Sequence, residues 1–166
     1  MSRPGASVAA SALRRLPADD RGAAIVEMLV AFPVFFAFFA TIVQLAYLEV
    51  AGLATEHAAT VAARAAIVVA ADDPRFYGTG TGTLDGQRGE EVDEAVHNTL
   101  RLATDEPTAH TKFSGFAEGT IVTAEVTFDY PCTIPVGSVI VCGASRTRHI
   151  TRQAAMPSQT ASYVYP

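Results

Sequence analysis

The chain has 166 residues, 49% of them hydrophobic, a net charge of −5 and two cysteines. That length leaves room for about one modest domain beside any long apolar segment. Residues 72–166 carry seven basic and twelve acidic side chains, which argues against nucleic-acid binding, where Lys and Arg must neutralise phosphates.

Residues 1–20, rich in Ala, Ser and Arg with two prolines, read as unstructured. From Ala23 to Ala71 only Pro33 and Gly52 oppose one continuous helix of about 73 Å, and Asp72-Asp73-Pro74 supplies a stop signal. Its uncharged stretch from Met28 to Leu48 would span about 30 Å, enough to cross the hydrocarbon of a bilayer. An ordinary secretory signal has a shorter apolar core, of about 7–15 residues, with its cleavage site behind it. The basic leader, with Arg3, Arg14, Arg15 and Arg21, and the acidic distal part predict a single span with a cytoplasmic N-terminus and an exported C-terminal part. One acid, Glu27, stands near the start of this helix. A carboxylate near hydrocarbon costs roughly 2.5–3.5 kcal/mol on insertion scales, so a plain anchor leaves it unexplained.

Beyond Leu48, the residues Val50, Leu53, His57, Val61, Ala65 and Val68 recur at three- and four-residue steps. This apolar stripe is expected to be the seam against which an exported domain or a neighbouring subunit packs. The many alanines permit close helix approach.

Residues 72–88 read as a glycine-punctuated loop. Its Gly-Thr-Gly-Thr-Gly run lacks the Gly-Lys-Ser/Thr ending and the preceding strand of a phosphate loop. Glu90, Glu91, Asp93 and Glu94 open a second helix, 90–103, where acids favour the first turn. Val92, Ala95, Val96, Leu100 and Ala103 form its buried face. Residues 104–119 read as a polar connection. The period then becomes two: Val122, Ala124, Val126, Phe128 and Tyr130 alternate with Thr123, Glu125, Thr127 and Asp129, a half-buried strand. A second apolar run, Ser138–Val141, and a third strand from Arg146 to Ala155 complete an α+β arrangement with a small antiparallel sheet of about three strands.

Cys132 and Cys142 are symmetric about Gly137. A hairpin centred there would set them opposite each other, with Cα atoms about 4.5–5.5 Å apart, a separation a disulfide accepts. An exported location supplies the oxidising compartment. Two buried thiols are the alternative; a two-cysteine metal site lacks a histidine at ligand spacing. His57, His97, His110 and His149 form no paired-ligand motif, and no nucleophile elbow is present. The residues therefore predict no catalytic site, no metal, no cofactor and no small-molecule substrate.

Arg21-Gly22-Ala23-Ala24, Val26-Glu27 and Pro33, followed by the hydrophobic helix and the later Ala62-Ala63-Arg64-Ala65-Ala66, resemble the processing region of TadE-like pseudopilins of tight-adherence (Flp) pili. The closing Met156-Pro157-Ser158-Gln159 is similar too. The resemblance covers residues 21 to about 70 well and the rest loosely. It implies a cytoplasmic leader, 1–22, removed by a prepilin peptidase between Gly22 and Ala23, then a long helix, 23–71, with its membrane half at about 28–48. A periplasmic α+β domain, 72–166, would follow. It also implies that Glu27, fifth in the mature chain, neutralises a neighbour's N-terminal amine, and that Pro33, Leu53, His57 and Val61 serve helix packing or assembly. The implied partners are the bacterial inner membrane, the peptidase, other pseudopilins and the pilus assembly platform. A single-pass, membrane-anchored binding or sensor domain is the alternative reading, and an exported enzyme a third.

Overall fold

A computed structural model describes residues 20–78, 80, 82–116 and 121–158. The chain divides into two compact units, with the boundary between Phe39 and Ala40. One helix, α1 (Asp20–Ala71), runs through that boundary. Little in its sequence but Gly22, Pro33 and Gly52 disfavours helix.

In the first unit the described residues are helical and turn their apolar side chains outward. Ile25, Leu29, Phe35 and Phe38 are all more than 60% exposed, an arrangement consistent with a helix set in hydrocarbon. Ala24–Ala71 is long and apolar enough to cross a membrane, which is consistent with a membrane anchor.

The second unit is an α+β body. After α1 come a short helix, α2 (Pro74–Tyr77), and a longer one, α3 (Gln87–Leu100). Strands β1 (Ala109–Ser114) and β2 (Ile121–Pro131), a short helix α4 (Gly137–Cys142) and strand β3 (Thr147–Pro157) complete it. The sheet is antiparallel in the order β1-β2-β3, with Phe128 facing Ala109 on one side and Ile150 on the other. Central strand β2 alternates as its sequence demands: Val122, Ala124, Val126, Phe128 and Tyr130 are buried, and the residues between them are half-exposed. The buried face joins Ala51, Ala58, Ala59, Ala62 and Ala63 of α1 and Val92, Val96 and Leu100 of α3 in one core. This is a two-layer solution in which two helical faces cover one face of a sheet.

Three sequence expectations are corrected here. The run Ser138–Val141 is not a strand but most of helix α4. Too short to form an independent ladder, it sits among the nine residues between the disulfide-bonded Cys132 and Cys142. The missing strand is β1, inside the stretch read as a polar connection. Its half-buried residues are only Ala109, Thr111 and Phe113, too weak an alternation to announce a strand. The second helix occupies 87–100 rather than 90–103.

The expected stripe, read as a seam for an exported domain or a neighbouring subunit, is largely uncovered within this chain. Leu53 and Val68 are 66% and 68% exposed, His57 is exposed and Val61 half-buried. None of these four belongs to the core cluster, although Ala65 of the same stripe packs against it. The face that covers the sheet is the alanine face, because only small side chains let a helix backbone approach a sheet already filled by Phe128 and Tyr130.

Candidate functional site

At the head of α1, Gly22 is exposed, and a Cβ added there would meet nothing within 4 Å. Ala23 is helical, and its side chain lies outside the described residues. The leader residues 1–19 lie outside them altogether. The Gly22–Ala23 bond is itself helical, since α1 begins at Asp20 rather than Ala23. Glu27 is exposed and makes no hydrogen bond or ion pair among the described residues. A carboxylate on an apolar, outward-facing helix with no partner among the described residues is a group that a second charge would have to neutralise. Pro33 is inside the helix and exposed; lacking an N–H, it leaves the carbonyl four residues before it without its helical donor.

The uncharged run also contains two polar residues, Thr41 and Gln44. Gln44 is fully buried. Its Oε1 accepts a hydrogen bond of 3.1 Å from the backbone N–H of Ile134, so the segment between β2 and β3 lies directly over it. The fit depends on Gly137: a Cβ there would come within 2.3 Å of the Ala40 carbonyl oxygen and 3.1 Å of the Gln44 Cβ. Burial pushes the neighbouring Tyr130 hydroxyl above the ordinary tyrosine value, and Tyr47 adds to the effect.

Cys132 and Cys142 are joined in a disulfide, with Cα atoms 6.5 Å apart. They are not opposed across a hairpin. Strand β2 ends at Pro131, the N–H of Cys132 bonds the Arg146 carbonyl at 2.7 Å, and α4 carries the chain back to Cys142. Ahead of α4, the Gly137 N–H bonds the Pro135 carbonyl at 2.7 Å, closing a three-residue turn around Val136 at φ 67°, ψ −54°. That is the strained form of the γ-turn, rare for a β-branched residue.

Beside this loop an open groove of about 500 Å³ runs between α1 and β3. Leu45, Leu48, Gly52 and Ile150 form its apolar part, and Glu49, Arg148, His149 and Arg152 its polar part. His149 is paired with Asp129 at 2.5 Å.

No protein-family model, curated protein or solved structure matches this chain. Its function therefore has to be argued from its residues.

Arg88 is the residue that sequence reading missed most plainly. It lies in the stretch taken for loop, yet it is fully buried. Its Nη1 and Nη2 donate to the Ala70 and Asp72 carbonyls at 2.9 and 2.8 Å, and its guanidinium lies 4.9 Å from the centre of the Tyr77 ring. It thus satisfies carbonyls at the end of α1 that have no helical donor. Nearby, Asp73 caps α2 by accepting from the Arg75 N–H, and the Arg75 side-chain hydrogen bond holds its carboxyl below the usual carboxylate value. Among the described residues, no cluster of His, Cys, Asp and Glu could hold a metal ion.

Proposed function

We propose that this chain is a minor pseudopilin, a structural subunit of a tight-adherence, type IV-like pilus or a related secretion machine. It is made as a precursor in the bacterial inner membrane, with its N-terminus cytoplasmic and its C-terminal body periplasmic. The observation that carries this reading is the pairing of an exposed Gly22 with an exposed Glu27 that has no partner among the described residues. Both stand at the head of an outward-facing apolar helix. Cleavage between Gly22 and Ala23 by a prepilin peptidase creates an amine at Ala23, and Glu27 of an adjacent subunit neutralises it. In hydrocarbon both charges are costly alone and tolerable only together.

Assembly with other pseudopilins and the pilus platform also accounts for the face of α1 that its own body leaves uncovered. Leu53, His57 and Val61 then serve lateral contacts between subunits. The role is structural, not catalytic, and needs no cofactor.

Intact-mass analysis of membrane-extracted protein tests this. The expected product begins at Ala23 and keeps the whole helix, and Gly22→Leu blocks its formation, because a bulky side chain replaces the smallest one at the scissile bond. A product beginning near residue 50 would mean an ordinary signal peptidase. An unprocessed chain would mean a membrane-anchored binding domain.

A further inference from the structure

We infer that the disulfide-closed loop between β2 and β3 is itself a membrane-seated element, and that the arginines beside it read anionic lipid headgroups. The inference rests on α1 crossing a bilayer; it does not depend on the chain being a pilin subunit.

The loop's height along α1 carries the argument. Gly137 packs on the Ala40 carbonyl and Ile134 bonds Gln44. These residues precede Leu48, the end of the uncharged run, by eight and four positions, so the contacts lie about 12 and 6 Å inside it at 1.5 Å per residue. Wherever the run enters hydrocarbon, the loop enters with it. Its outer surface suits that position. Val136, Val139 and Ile140 are 43%, 50% and 59% exposed, an apolar tip held outward by the strained turn at Val136. The face turned inward covers Gln44, which removes the polar amide from contact with lipid. A loop with this arrangement solves two problems together: it hides the polar intruder of the span and offers hydrocarbon an apolar surface.

The charges agree. From Tyr130 to Ser158 the chain has no acid and three arginines, Arg146, Arg148 and Arg152, all exposed. Arg148 and Arg152 line the groove beside Leu45 and Leu48, at the level where the uncharged run gives way to polar sequence. The acid beside them in the groove is Glu49, and Asp129, across from His149 in the sheet, is paired with it. The acidic cluster Glu90, Glu91, Asp93 and Glu94 lies on α3, whose Arg88 contacts Ala70, about 39 Å further along α1 than Gln44. The body is therefore basic where it meets the membrane and acidic away from it, as attraction to an anionic leaflet requires. Arginine stems can lie along apolar surface while their heads reach phosphates.

The chain contains no tryptophan, so single substitutions give unique fluorophores. The full chain is reconstituted in vesicles of phosphatidylcholine and phosphatidylglycerol with brominated acyl chains, as Phe35→Trp, Ile140→Trp or Asn98→Trp. Each of these positions is exposed, so none disturbs a core contact. Phe35→Trp and Ile140→Trp should show blue-shifted emission quenched by the bromines, and Asn98→Trp neither effect. Adding Arg146→Gln and Arg148→Gln to Ile140→Trp should weaken the quenching, and removing phosphatidylglycerol should do the same. Quenching at Phe35→Trp with none at Ile140→Trp overturns the proposal while leaving the span intact. A blue shift at Ile140→Trp without quenching also overturns it, since protein rather than lipid then covers the tip. No quenching at Phe35→Trp removes the span and this inference with it. Failure of cleavage at Gly22 removes the pilin reading alone.

Discussion

Arg88 and Gln44 are buried polar residues with opposite tasks. Gln44 sits in a segment suited to hydrocarbon and is tolerated because the loop between β2 and β3 supplies the Ile134 N–H and shields the amide. Arg88 brings a positive charge to the carbonyl end of α1, where the helix dipole favours it. Its stem is packed, so truncation loses both contacts and charge. Arg88→Met keeps most of the stem, strands the Asp72 carbonyl and leaves the Ala70 carbonyl with only the Gly82 N–H. The expected cost is about 2–4 kcal/mol, read as a lower Tm of the detergent-solubilised chain by circular dichroism. Arg88→Lys should recover only part of it, because an ammonium cannot reproduce the planar two-donor fork. Equal stability of Arg88→Met and the natural chain would show that water replaces the guanidinium at no cost.

At the scale of elements, α1 presents chemically different faces along one helix. Up to Phe39 its large apolar side chains point outward. From Ala51 onward its small side chains face the sheet, and Leu53 and Val68 remain exposed. Size, not hydrophobicity, separates the buried face from the free one. Ala59→Leu should therefore destabilise the body by about 1–3 kcal/mol through overpacking. Leu53→Ser, with a larger loss of hydrophobicity, should change stability by less than about 0.5 kcal/mol. Thermal unfolding of the two variants in the same detergent decides between size and hydrophobicity. A larger loss for Leu53→Ser would restore the stripe as the packing seam.

For the whole molecule, the unit boundary falls between Phe39 and Ala40, not where α1 ends. The membrane-length segment and the α+β body therefore share residues, and the body has no complete core without the distal part of α1. Five alanines of α1 stand in the same core cluster as Val92, Phe128 and Ile150. A fragment of residues 40–166, expressed in mild detergent, should give dispersed backbone amide resonances and an oxidised Cys132–Cys142 pair. One of residues 72–166 should show collapsed dispersion and aggregate, because it exposes the β2 face that α1 covers. Equal dispersion from both would show that α1 is an accessory to the core rather than part of it.

Some of this was determined by the sequence alone. The extent of α1 follows from a long stretch almost free of helix breakers that Asp72-Asp73-Pro74 closes, and β2 from a strict two-residue period, because each signal is local and repeated. The acidic helix α3 was legible to within three residues at each end, and the cysteine pair was found, though in the wrong geometry. The prominence of Gly22 and Glu27 also came from sequence, as a lone acid at fixed spacing from a glycine. Only the tertiary structure decided which face of α1 is buried, since alanine is neutral to hydropathy and is chosen by the distance between helix and sheet. It also decided that Ser138–Val141 coils instead of pairing, because the disulfide and the close approach of Gly137 to Ala40 fix the loop against α1. Arg88 and Gln44 were invisible for the same reason. Their partners are backbone groups 16 to 90 residues away, and no local pattern records a carbonyl or an amide awaiting a partner.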